Sequence, residues 1–338
     1  MRSSPADLAS AGVMVTGAGG FAGRYLMETL ALHGASPSAS PLRLPDRAGF
    51  ARLLRAVRPQ AVVHLAARTF LPTAADDPAG AVETNVEGTR SVLEALRDAD
   101  PDAGVRLVFV SSSYVYRVDA GGPPGGPTGS PTTSPLDEDA PLDPASVYGR
   151  TKLAAELMCR IWCESARTRP LIVLRPFNHT GPGQKPSFAA PRFARQTALI
   201  EAGKAEPVLH TGDLSFRRDF CDVRDVVRAY ARAALGAVPP GTYNLARGTS
   251  VALAELAEFF RSRSKVPFEI RQHIDPQRAS EARELCGRAA RIHEACGWSP
   301  EIPLEKTLTD LLDEWRTRIA AGEVGEPDAV AAVQPETR

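Results

Sequence analysis

The sequence predicts an α/β protein with a doubly wound parallel sheet and a smaller C-terminal α/β substrate domain, and three observations support this. Short apolar runs typical of buried strands alternate with stretches whose apolar residues recur every three to four positions, as along one helix face. A glycine-rich turn follows the first run. Strands that alternate with helices form parallel sheets with helices on both faces. The strand candidates are VMVTG (13–17), AVVHLAA (61–67), RLVFVSS (106–112) and LIVLRPF (171–177).

The segments between these strands have the periodicity of amphipathic helices. The helix candidates are FAGRYLMETLALH, FARLLRAV, NVEGTRSVLEALRDA and TKLAAELMCRIWCESA. Residues 119–135 consist of Gly, Pro, Ser and Thr almost throughout, which predicts a surface loop and not a domain boundary.

The composition is that of an ordinary globular protein, with 43% hydrophobic and 24% charged residues in 338. Forty basic and forty acidic side chains cancel, so nothing indicates a nucleic acid or a membrane as partner. Because we find neither a membrane-spanning run nor a secretory signal, we expect a cytoplasmic protein. Five cysteines without a CxxC pair fit a reducing compartment, and we expect Cys159 and Cys163 to pack in the core instead of holding a metal.

The turn after the first strand is typical of a phosphate-binding site. VTGAGGFAGR places Gly17, Gly20 and Gly23 between an apolar strand and an amphipathic helix. Glycines at this spacing permit a tight turn and let a pyrophosphate approach the backbone at the helix N-terminus. We therefore expect a Rossmann dinucleotide-binding domain.

The region of the second strand, GASPSASPLRLPD, lacks the acidic residue that usually follows about 20 residues after the glycines. It has no acid before Asp46 and hardly a strand, so the second strand is predicted to be very short or lost. Without that carboxylate nothing repels a 2′-phosphate, and Arg43 or the nearby serines could accept one. This slightly favours NADP(H) over NAD(H), while Arg43 could equally be a solvated loop cation.

The segment SVYGRTKLAAE carries Tyr148 and Lys152 four residues apart at the start of a helix, which places both on one helix face. A lysine ammonium near a phenol stabilises the phenolate and lowers its pKa. The pair is therefore a candidate for proton transfer near neutral pH.

With these motifs the chain resembles the extended short-chain dehydrogenase/reductase family, in its branch of nucleotide-sugar epimerases, dehydratases and reductases. The resemblance covers roughly residues 12–316 and rests on TGAGGFAG, VVHLAA, NVEGT, SSSYVY, YGRTK, RPFNHTGPGQ and RRDFCDVRDVVRAY. In that family a serine or threonine four residues before the strand-end tyrosine, here Tyr116, binds the sugar carbonyl. This implies Ser112, with Ser111 and Ser113 as alternatives. The cofactor contacts that the resemblance implies are Phe21, Leu65, Ala66, Ala67, Asn85, Tyr148 and Lys152.

Two positions after the predicted strand RLVFVSS (106–112) depart from the family pattern. Family 4,6-dehydratases carry a glutamate two residues before the strand-end tyrosine, where this chain has Tyr114. Dehydration is therefore disfavoured, and Ser113 and Tyr114 are predicted to contact the substrate. Arg117 replaces the glycine that usually follows the tyrosine, a departure that the sequence does not explain.

The segment from Arg175 to Tyr230 resembles the GDP-6-deoxy-D-mannose (GDP-4-keto-6-deoxy-D-mannose) reductases, which implies that Asn178 and Arg218 contact the sugar diphosphate. Arg217 is the second candidate, with a surface ion pair, for instance to Asp219, as its alternative. RASE carries Arg278 and Glu281 where GDP-sugar enzymes bind the nucleoside, although an ordinary charged helix start is equally compatible. His179 could be catalytic but is rather expected to pack beside the substrate backbone, and His64 is expected to lie in the core.

The sequence thus predicts the reduction of a nucleotide-linked 4-keto-6-deoxyhexose by NADP(H) or NAD(H). Tyr148 would act as proton donor, Ser112 would hold the carbonyl oxygen, and Lys152 would bind the nicotinamide ribose and lower the pKa of Tyr148. The alternatives are a 4-epimerase with tightly bound NAD, then a 4,6-dehydratase, and last a redox-sensing binder. We expect a homodimer and no bound metal.

The predicted domain limits follow from the same motifs. Residues 1–175, together with about 219–247, would form the NAD(P)-binding domain. Residues 176–218 and 248–318 would form the substrate domain, and 319–338 a disordered tail.

Overall fold

The computed structural model describes residues 11–99, 104–117, 135–165, 170–274 and 282–323. The predicted nucleoside-binding pair, Arg278 and Glu281, lies outside these ranges, as do almost all of the predicted 119–135 loop and residues 324–338 of the predicted tail. The predicted start of the tail at residue 319 is wrong, because Ile319 is buried in the helix Leu304–Ala320.

Strands and helices alternate along the first part of the chain, as predicted. The strands are β1 (Gly12–Thr16), β2 (Ser36–Ala39), β3 (Ala61–His64), β4 (Arg106–Val110), β5 (Leu171–Pro176), β6 (Asn178–Thr180), β7 (Val208–Thr211), β8 (Arg217–Asp222), β9 (Gly241–Leu245), β10 (Ser250–Ala252), β11 (Glu269–Gln272) and β12 (Glu284–Leu285). The helices are α1 (Phe21–Leu32), α2 (Arg47–Val57), α3 (Leu71–Asp76), α4 (Pro78–Val82), α5 (Gly88–Ala99), α6 (Val147–Ser165), α7 (Ala189–Glu201), α8 (Val223–Ala234), α9 (Leu253–Arg263), α10 (Ala290–Cys296) and α11 (Leu304–Ala320). A π-helical turn, Glu83–Glu87, leads into α5, and a 3-10 turn, Ser113–Val115, follows β4.

Six parallel strands form the main sheet in the order β2-β1-β3-β4-β5-β9. The predicted Rossmann-type sheet is thereby confirmed. The second strand is present but only four residues long, SPSA, and lies at the edge of the described sheet. A proline inside a strand cannot donate a ladder hydrogen bond, so Pro37 is compatible with an edge position and not with a central one.

Successive residues of β1 contribute to different layers of the core. Val13 and Val15 pack with α1 and α8 on one face of the sheet, whereas Met14 packs with α2, α5 and α6 on the other. Side chains alternate between the two faces of a strand, so a strand covered on both faces must be apolar throughout. This accounts for the continuous apolar runs that predicted the sheet.

The later elements form a second region with its own core. Strand β8 pairs with β6, β10 and β12, and β7 pairs with β11. Helices α7, α9 and α11 cover them through a cluster that includes Phe193, Phe260 and Trp315. The predicted domain limits stay a prediction.

Most of the predicted site residues lie at one edge of the main sheet. Gly17 follows β1, Leu65 follows β3, Ser111 follows β4 and Asn178 follows β5 closely. Since these strands are parallel, their carboxyl ends meet at that edge, where ligands of open α/β sheets bind.

Among the described residues, no helix is long and apolar enough to cross a membrane and no group of three or more metal-ligating side chains occurs. All five cysteines are unbridged, and Cys159 and Cys163 are buried.

Candidate active site

Ser112 and Tyr148 are brought together from the end of β4 and the start of α6. The Ser112 Oγ accepts a hydrogen bond from the Tyr114 N–H at 3.3 Å and so begins the 3-10 turn. The Ser112 hydroxyl also lies close enough to the Tyr148 phenol to lower its pKa. Both side chains are buried. The predicted carbonyl-binding serine and the predicted proton donor are therefore neighbours in the structure.

Gly149 explains how the 3-10 turn and α6 come this close. A Cβ atom at this position would overlap the Tyr114 carbonyl oxygen and press against Pro144. Only a glycine lets the backbone after β4 lie directly on the first turn of α6. The glycine that follows Tyr148 in the sequence thus sets the distance between the two parts of the site.

Burial dominates the electrostatics of Tyr148. It raises the pKa of the phenol to about 12, and the hydrogen bond with Ser112 opposes the rise only in part. The expected lowering by Lys152 is wrong for this structure, because the ammonium is not among the groups that shift the phenol. The phenol is therefore held protonated at neutral pH.

Lys152 is itself buried, and its Nζ lies 4.4 Å from the centre of the Phe109 ring. Burial lowers its pKa to about 8, against the opposing effects of Cys159 and Glu156. A cation above an aromatic face is stabilised by the ring quadrupole.

The cradle after β1 fits a dinucleotide pyrophosphate. Gly17 has a φ of 72°, and a Cβ there would come within 2.8 Å of the Ala66 nitrogen, so the loop after β3 lies against the turn. Gly20 donates to the Gly17 carbonyl at 3.0 Å and is the N-cap of α1 without a side-chain cap. A Cβ at Gly23 would overlap the same carbonyl. A cofactor diphosphate at this helix N-terminus would find free backbone donors.

Asn85 supports this cradle from behind. Its Oδ1 accepts from the Arg68 N–H at 2.8 Å, and its Nδ2 donates to the Arg68 carbonyl at 3.2 Å and to Thr151 Oγ1 at 2.9 Å. The amide thereby ties the loop after β3, which includes Leu65, Ala66 and Ala67, to the helix that carries Tyr148. Because both Nδ2 protons are used, any influence of Asn85 on the cofactor would act through this loop.

The end of β2 is the second part of the candidate cofactor site. The Ser40 Oγ is buried and has no hydrogen-bond partner among the described residues, while Arg43 is exposed. The first carboxylate after β2, Asp46, accepts the Gly49 N–H at 2.8 Å as the N-cap of α2. The site therefore presents a hydroxyl and a nearby cation where NAD-dependent folds usually place a carboxylate.

His64 is a core residue, as expected. Its Nδ1 accepts from Thr16 Oγ1 at 2.7 Å, and its Nε2 lies 3.0 Å from Thr89 Oγ1. Since Thr89 donates its own proton to the Asn85 carbonyl, it must accept from His64, so Nε2 carries the ring proton. Burial, together with the smaller effect of the Lys152 charge, lowers the pKa of His64 to about 3.

Two residues predicted to contact the substrate, Ser113 and Asn178, each have a buried oxygen, Oγ and Oδ1, without a hydrogen-bond partner in the part of the chain that the structure describes. Buried polar atoms are nearly always hydrogen-bonded, so such atoms are candidates for contacts with a bound polar ligand. Both positions were predicted to contact the substrate.

Arg218 and Arg217 differ sharply in environment. Arg218 is buried, packs over the Phe216 ring at 5.0 Å, and donates through Nη1 to the Arg217 and Arg283 carbonyls at 2.8 and 3.3 Å. Burial therefore favours Arg218 over Arg217 as the candidate binding residue.

Arg217 forms surface contacts, but not with the partner considered. Its ion pairs are with Glu255 and Glu284, at 3.3 and 3.8 Å. Asp219 is not its partner, because that buried carboxylate accepts the N–H groups of Arg247 and Gly248 at 2.8 and 2.9 Å instead. Arg117 likewise forms an exposed ion pair, with Asp143 at 3.1 Å.

A contact between α1, which follows the glycine-rich turn, and residues 179–183 was not predicted from the sequence. The His179 ring stacks on Phe21 at 6.1 Å with an interplanar angle of 3°, and Tyr25 Oη donates to the Pro182 carbonyl at 2.9 Å. Arg24 donates to the Gly183 carbonyl at 3.1 Å. The packing of His179 beside the substrate backbone stays a prediction, and its ring neighbour in the structure is Phe21, the residue predicted to contact the cofactor.

Comparisons with known proteins agree with this architecture. Residues 13–246 match the model of the NAD dependent epimerase/dehydratase family. The chain is 35% identical over 314 residues to GDP-6-deoxy-D-mannose reductase from Pseudomonas aeruginosa strain PAO1, covering 91% of this chain and 98% of the relative. It is 28% identical over 329 residues to UDP-glucose 4-epimerase from Mycolicibacterium smegmatis, covering 90% and 98%. The structure of RMD from Pseudomonas aeruginosa complexed with NADPH matches with a TM-score of 0.79 and 32% identity, covering 91% of this chain and 99% of that chain.

Proposed function

Because the chain belongs to the NAD dependent epimerase/dehydratase family, we propose that it reduces the C4 keto group of a nucleotide 4-keto-6-deoxyhexose. The relatives described above are a nucleotide-sugar reductase and a nucleotide-sugar epimerase. The substrate would be GDP-linked and the product a 6-deoxyhexose nucleotide such as GDP-D-rhamnose. The single observation that carries the proposal is that Ser112 lies beside a buried Tyr148, whose raised pKa keeps the phenol protonated.

The chain's own residues supply the proton chemistry. The nicotinamide supplies the hydride to C4 when it is bound. Ser112 donates a hydrogen bond to the C4 oxygen, where negative charge develops. Tyr148 gives its proton to the same oxygen, and a phenol that burial keeps protonated is ready for this direction of the reaction. Lys152 binds the nicotinamide ribose.

The diphosphate and the remaining sugar hydroxyls would be bound from the other side of the cleft. Arg218 is assigned to the diphosphate, because a guanidinium offers paired donors to phosphate oxygens. Asn178 and Ser113, whose buried oxygens lack partners among the described residues, would bind hydroxyl or phosphate groups. Arg278 and Glu281 remain the candidates for the nucleoside.

NADP(H) is the proposed cofactor. Its support is the hydroxyl of Ser40 and the cation of Arg43 in place of a carboxylate, together with the NADPH-bound relative. The family description names NAD, so the two cofactors should be compared directly.

A 4-epimerase is the second candidate, favoured by the relative from Mycolicibacterium smegmatis. It would use the same Ser-Tyr-Lys set but regenerate its NAD in each turnover. A 4,6-dehydratase is disfavoured, because the position that needs a carboxylate carries Tyr114.

We also propose a homodimer formed through α6. Leu157 and Ile161, one turn apart on this helix, are 45% and 67% exposed, which is high for large apolar side chains. Pairing of the same face in two copies would cover them.

Incubation with a panel of nucleotide 4-keto-6-deoxysugars tests the reaction. NADPH absorbance should fall in proportion to the 6-deoxyhexose nucleotide formed, and Tyr148→Phe should reduce kcat by roughly 10²- to 10⁴-fold while NADPH still binds. Interconversion of C4 epimers without net cofactor oxidation would establish the epimerase instead. A Tyr148→Phe enzyme with the wild-type rate would contradict both.

A further inference from the structure

Tyr114 is fixed beside the proton donor by two independent contacts. Its carbonyl lies on Gly149, and its ring meets the Tyr148 ring edge-to-face at a centroid distance of 6.0 Å and an interplanar angle of 67°. The first contact holds the backbone and the second holds the side chain. Both contacts therefore place Tyr114 beside the first turn of α6.

The surroundings of these two rings are apolar. Buried Ala74 and Ala81 pack with Tyr148, and Leu71, Tyr114 and Val147 complete the cluster as partly buried side chains. Leu71 and Tyr114 thus combine an apolar packing face with accessible surface. They lie on the side of the phenol formed by α3 and the 3-10 turn.

The position of α3 is itself restrained. Phe70, the residue before α3, meets Phe188, the residue before α7, edge-to-face at 5.5 Å. This aromatic pair joins the loop after β3 to the second region of the structure. It restrains the start of α3, where Leu71 packs against the cluster that contains Tyr148.

The proposed reaction determines which part of a sugar can meet this wall. The C4 oxygen must lie within hydrogen-bond distance of the Tyr148 Oη and Ser112, so the substituents on C3 and C5 are the next groups along the ring. In a 6-deoxyhexose C3 carries a hydroxyl and C5 carries a methyl group. An apolar wall next to C4 matches the methyl and would leave a C6 hydroxyl without a hydrogen-bond partner.

We propose that Tyr114 and Leu71 form the pocket for the C5 methyl group and make the chain selective for 6-deoxyhexose nucleotides over their 6-hydroxy counterparts. This inference rests on the proposed function. It also gives residue 114 a role different from that of the dehydratase glutamate, because a tyrosine ring offers the methyl group an apolar face and no carboxylate acid/base.

The reverse reaction provides a matched pair of substrates. GDP-6-deoxy-D-mannose and GDP-D-mannose differ only by the C6 oxygen. Oxidation at C4 transfers a hydride to NADP⁺ and releases the hydroxyl proton, so NADPH formation measures kcat/KM for each. We expect wild type to prefer the 6-deoxy sugar by at least about tenfold, the range of selectivity available to an apolar pocket.

Variants at the wall should change this preference. Tyr114→Ala and Leu71→Ala should each bring the ratio of the two kcat/KM values towards one, chiefly by raising activity on GDP-D-mannose relative to GDP-6-deoxy-D-mannose. Tyr114→Phe keeps the ring and should keep the preference. NADPH binding, followed by fluorescence, establishes that each variant is folded.

The outcomes separate the two proposals. If wild type oxidises the sugars but both alanine variants lower the two activities in the same proportion, the methyl pocket is overturned and the reductase stands. If Tyr114→Phe loses the preference, the hydroxyl and not the apolar ring is responsible, and the methyl pocket is again overturned. If folded wild type that binds NADPH oxidises neither sugar with NADP⁺ or NAD⁺, the proposed function fails and this inference with it.

Discussion

Ser111 and Glu156 are joined by a buried hydrogen bond, in which the serine Oγ donates to Oε2 at 2.7 Å. Ser111 precedes the predicted carbonyl-binding Ser112, and Glu156 lies one helical turn after Lys152. The same carboxylate accepts two hydrogen bonds from Arg175 of β5, at 2.5 and 3.1 Å. The end of β4 is thereby tied to α6 behind the candidate site residues.

Replacement of Glu156 by glutamine should destabilise the fold. Its side chain and that of Arg175 are 0% and 1% exposed, and Glu156→Gln leaves the guanidinium charge buried without its partner. Loss of one member of a buried ion pair costs about 3–5 kcal/mol, so we expect the free energy of unfolding to fall by roughly that amount. Urea unfolding measures it. Asp143→Asn, at the exposed pair with Arg117, is the control and should have little effect. An equal change in both variants would contradict the role of the buried pair.

His64 should make stability depend on pH. Its pKa is about 3 in the fold and 6.5 as the ordinary value, so the unfolded chain binds a proton that the folded chain refuses. This contribution to stability is intact above pH 6.5 and is lost as pH falls from 6.5 towards 3. His64→Gln should remove up to about 1.4 kcal/mol per pH unit of slope in this window. Urea unfolding at several pH values measures the slope, and parallel curves for both proteins would refute the assignment.

The glycine-rich turn offers a matched pair of substitutions. Gly23→Ala would place a Cβ on the Gly17 carbonyl, whereas a Cβ at Gly19 would meet nothing within 4 Å. We therefore expect Gly23→Ala to lower the melting temperature of the cofactor-free protein clearly and Gly19→Ala to leave it nearly unchanged. Thermal unfolding followed by circular dichroism compares them. Similar melting temperatures for the two variants would mean that the turn can relax.

Lys152 should limit cofactor binding at alkaline pH. Because burial lowers its pKa to about 8, its charge is lost as pH rises through that value. NADPH affinity, titrated by fluorescence across a pH series that brackets 8, should weaken on the alkaline side. Lys152→Met should bind weakly without this dependence. An unchanged alkaline weakening in Lys152→Met would assign it to another group.

The sheet and the positions of most candidate site residues along it could be predicted from the sequence, because both follow from local patterns. Apolar runs at strand length predict the order of the elements, and the glycine spacing identifies the turn after β1. The short β2 could hardly be predicted, since SPSA has no apolar periodicity and only its pairing with β1 makes it a strand.

Contacts between segments far apart in the sequence could not be predicted from local patterns. The stacking of Phe21 on His179 joins residues 158 positions apart, and the Glu156–Arg175 pair joins a helix to a strand. An arginine within the apolar run LIVLRPF was the one signal of the latter, because a buried charge requires a partner. The prediction that Lys152 lowers the pKa of Tyr148 failed for a related reason. The spacing of the two residues shows that they share a helix face, but it does not show how deeply the phenol is buried.

The cofactor preference can be tested at the end of β2. Ser40→Asp introduces a carboxylate where the adenosine ribose is proposed to bind, which would repel a 2′-phosphate and accept hydrogen bonds from the ribose hydroxyls of NADH. We expect the ratio of kcat/KM for NADPH to that for NADH to fall by at least about tenfold, since a direct like-charge contact costs more than the roughly 1.4 kcal/mol that a factor of ten requires. Ser36→Asp, at the exposed beginning of the same strand, is the matched control and should leave the ratio unchanged. Arg43→Ala should weaken NADPH binding alone. If Ser40→Asp changes neither cofactor, or both equally, the 2′-phosphate does not lie at this strand end.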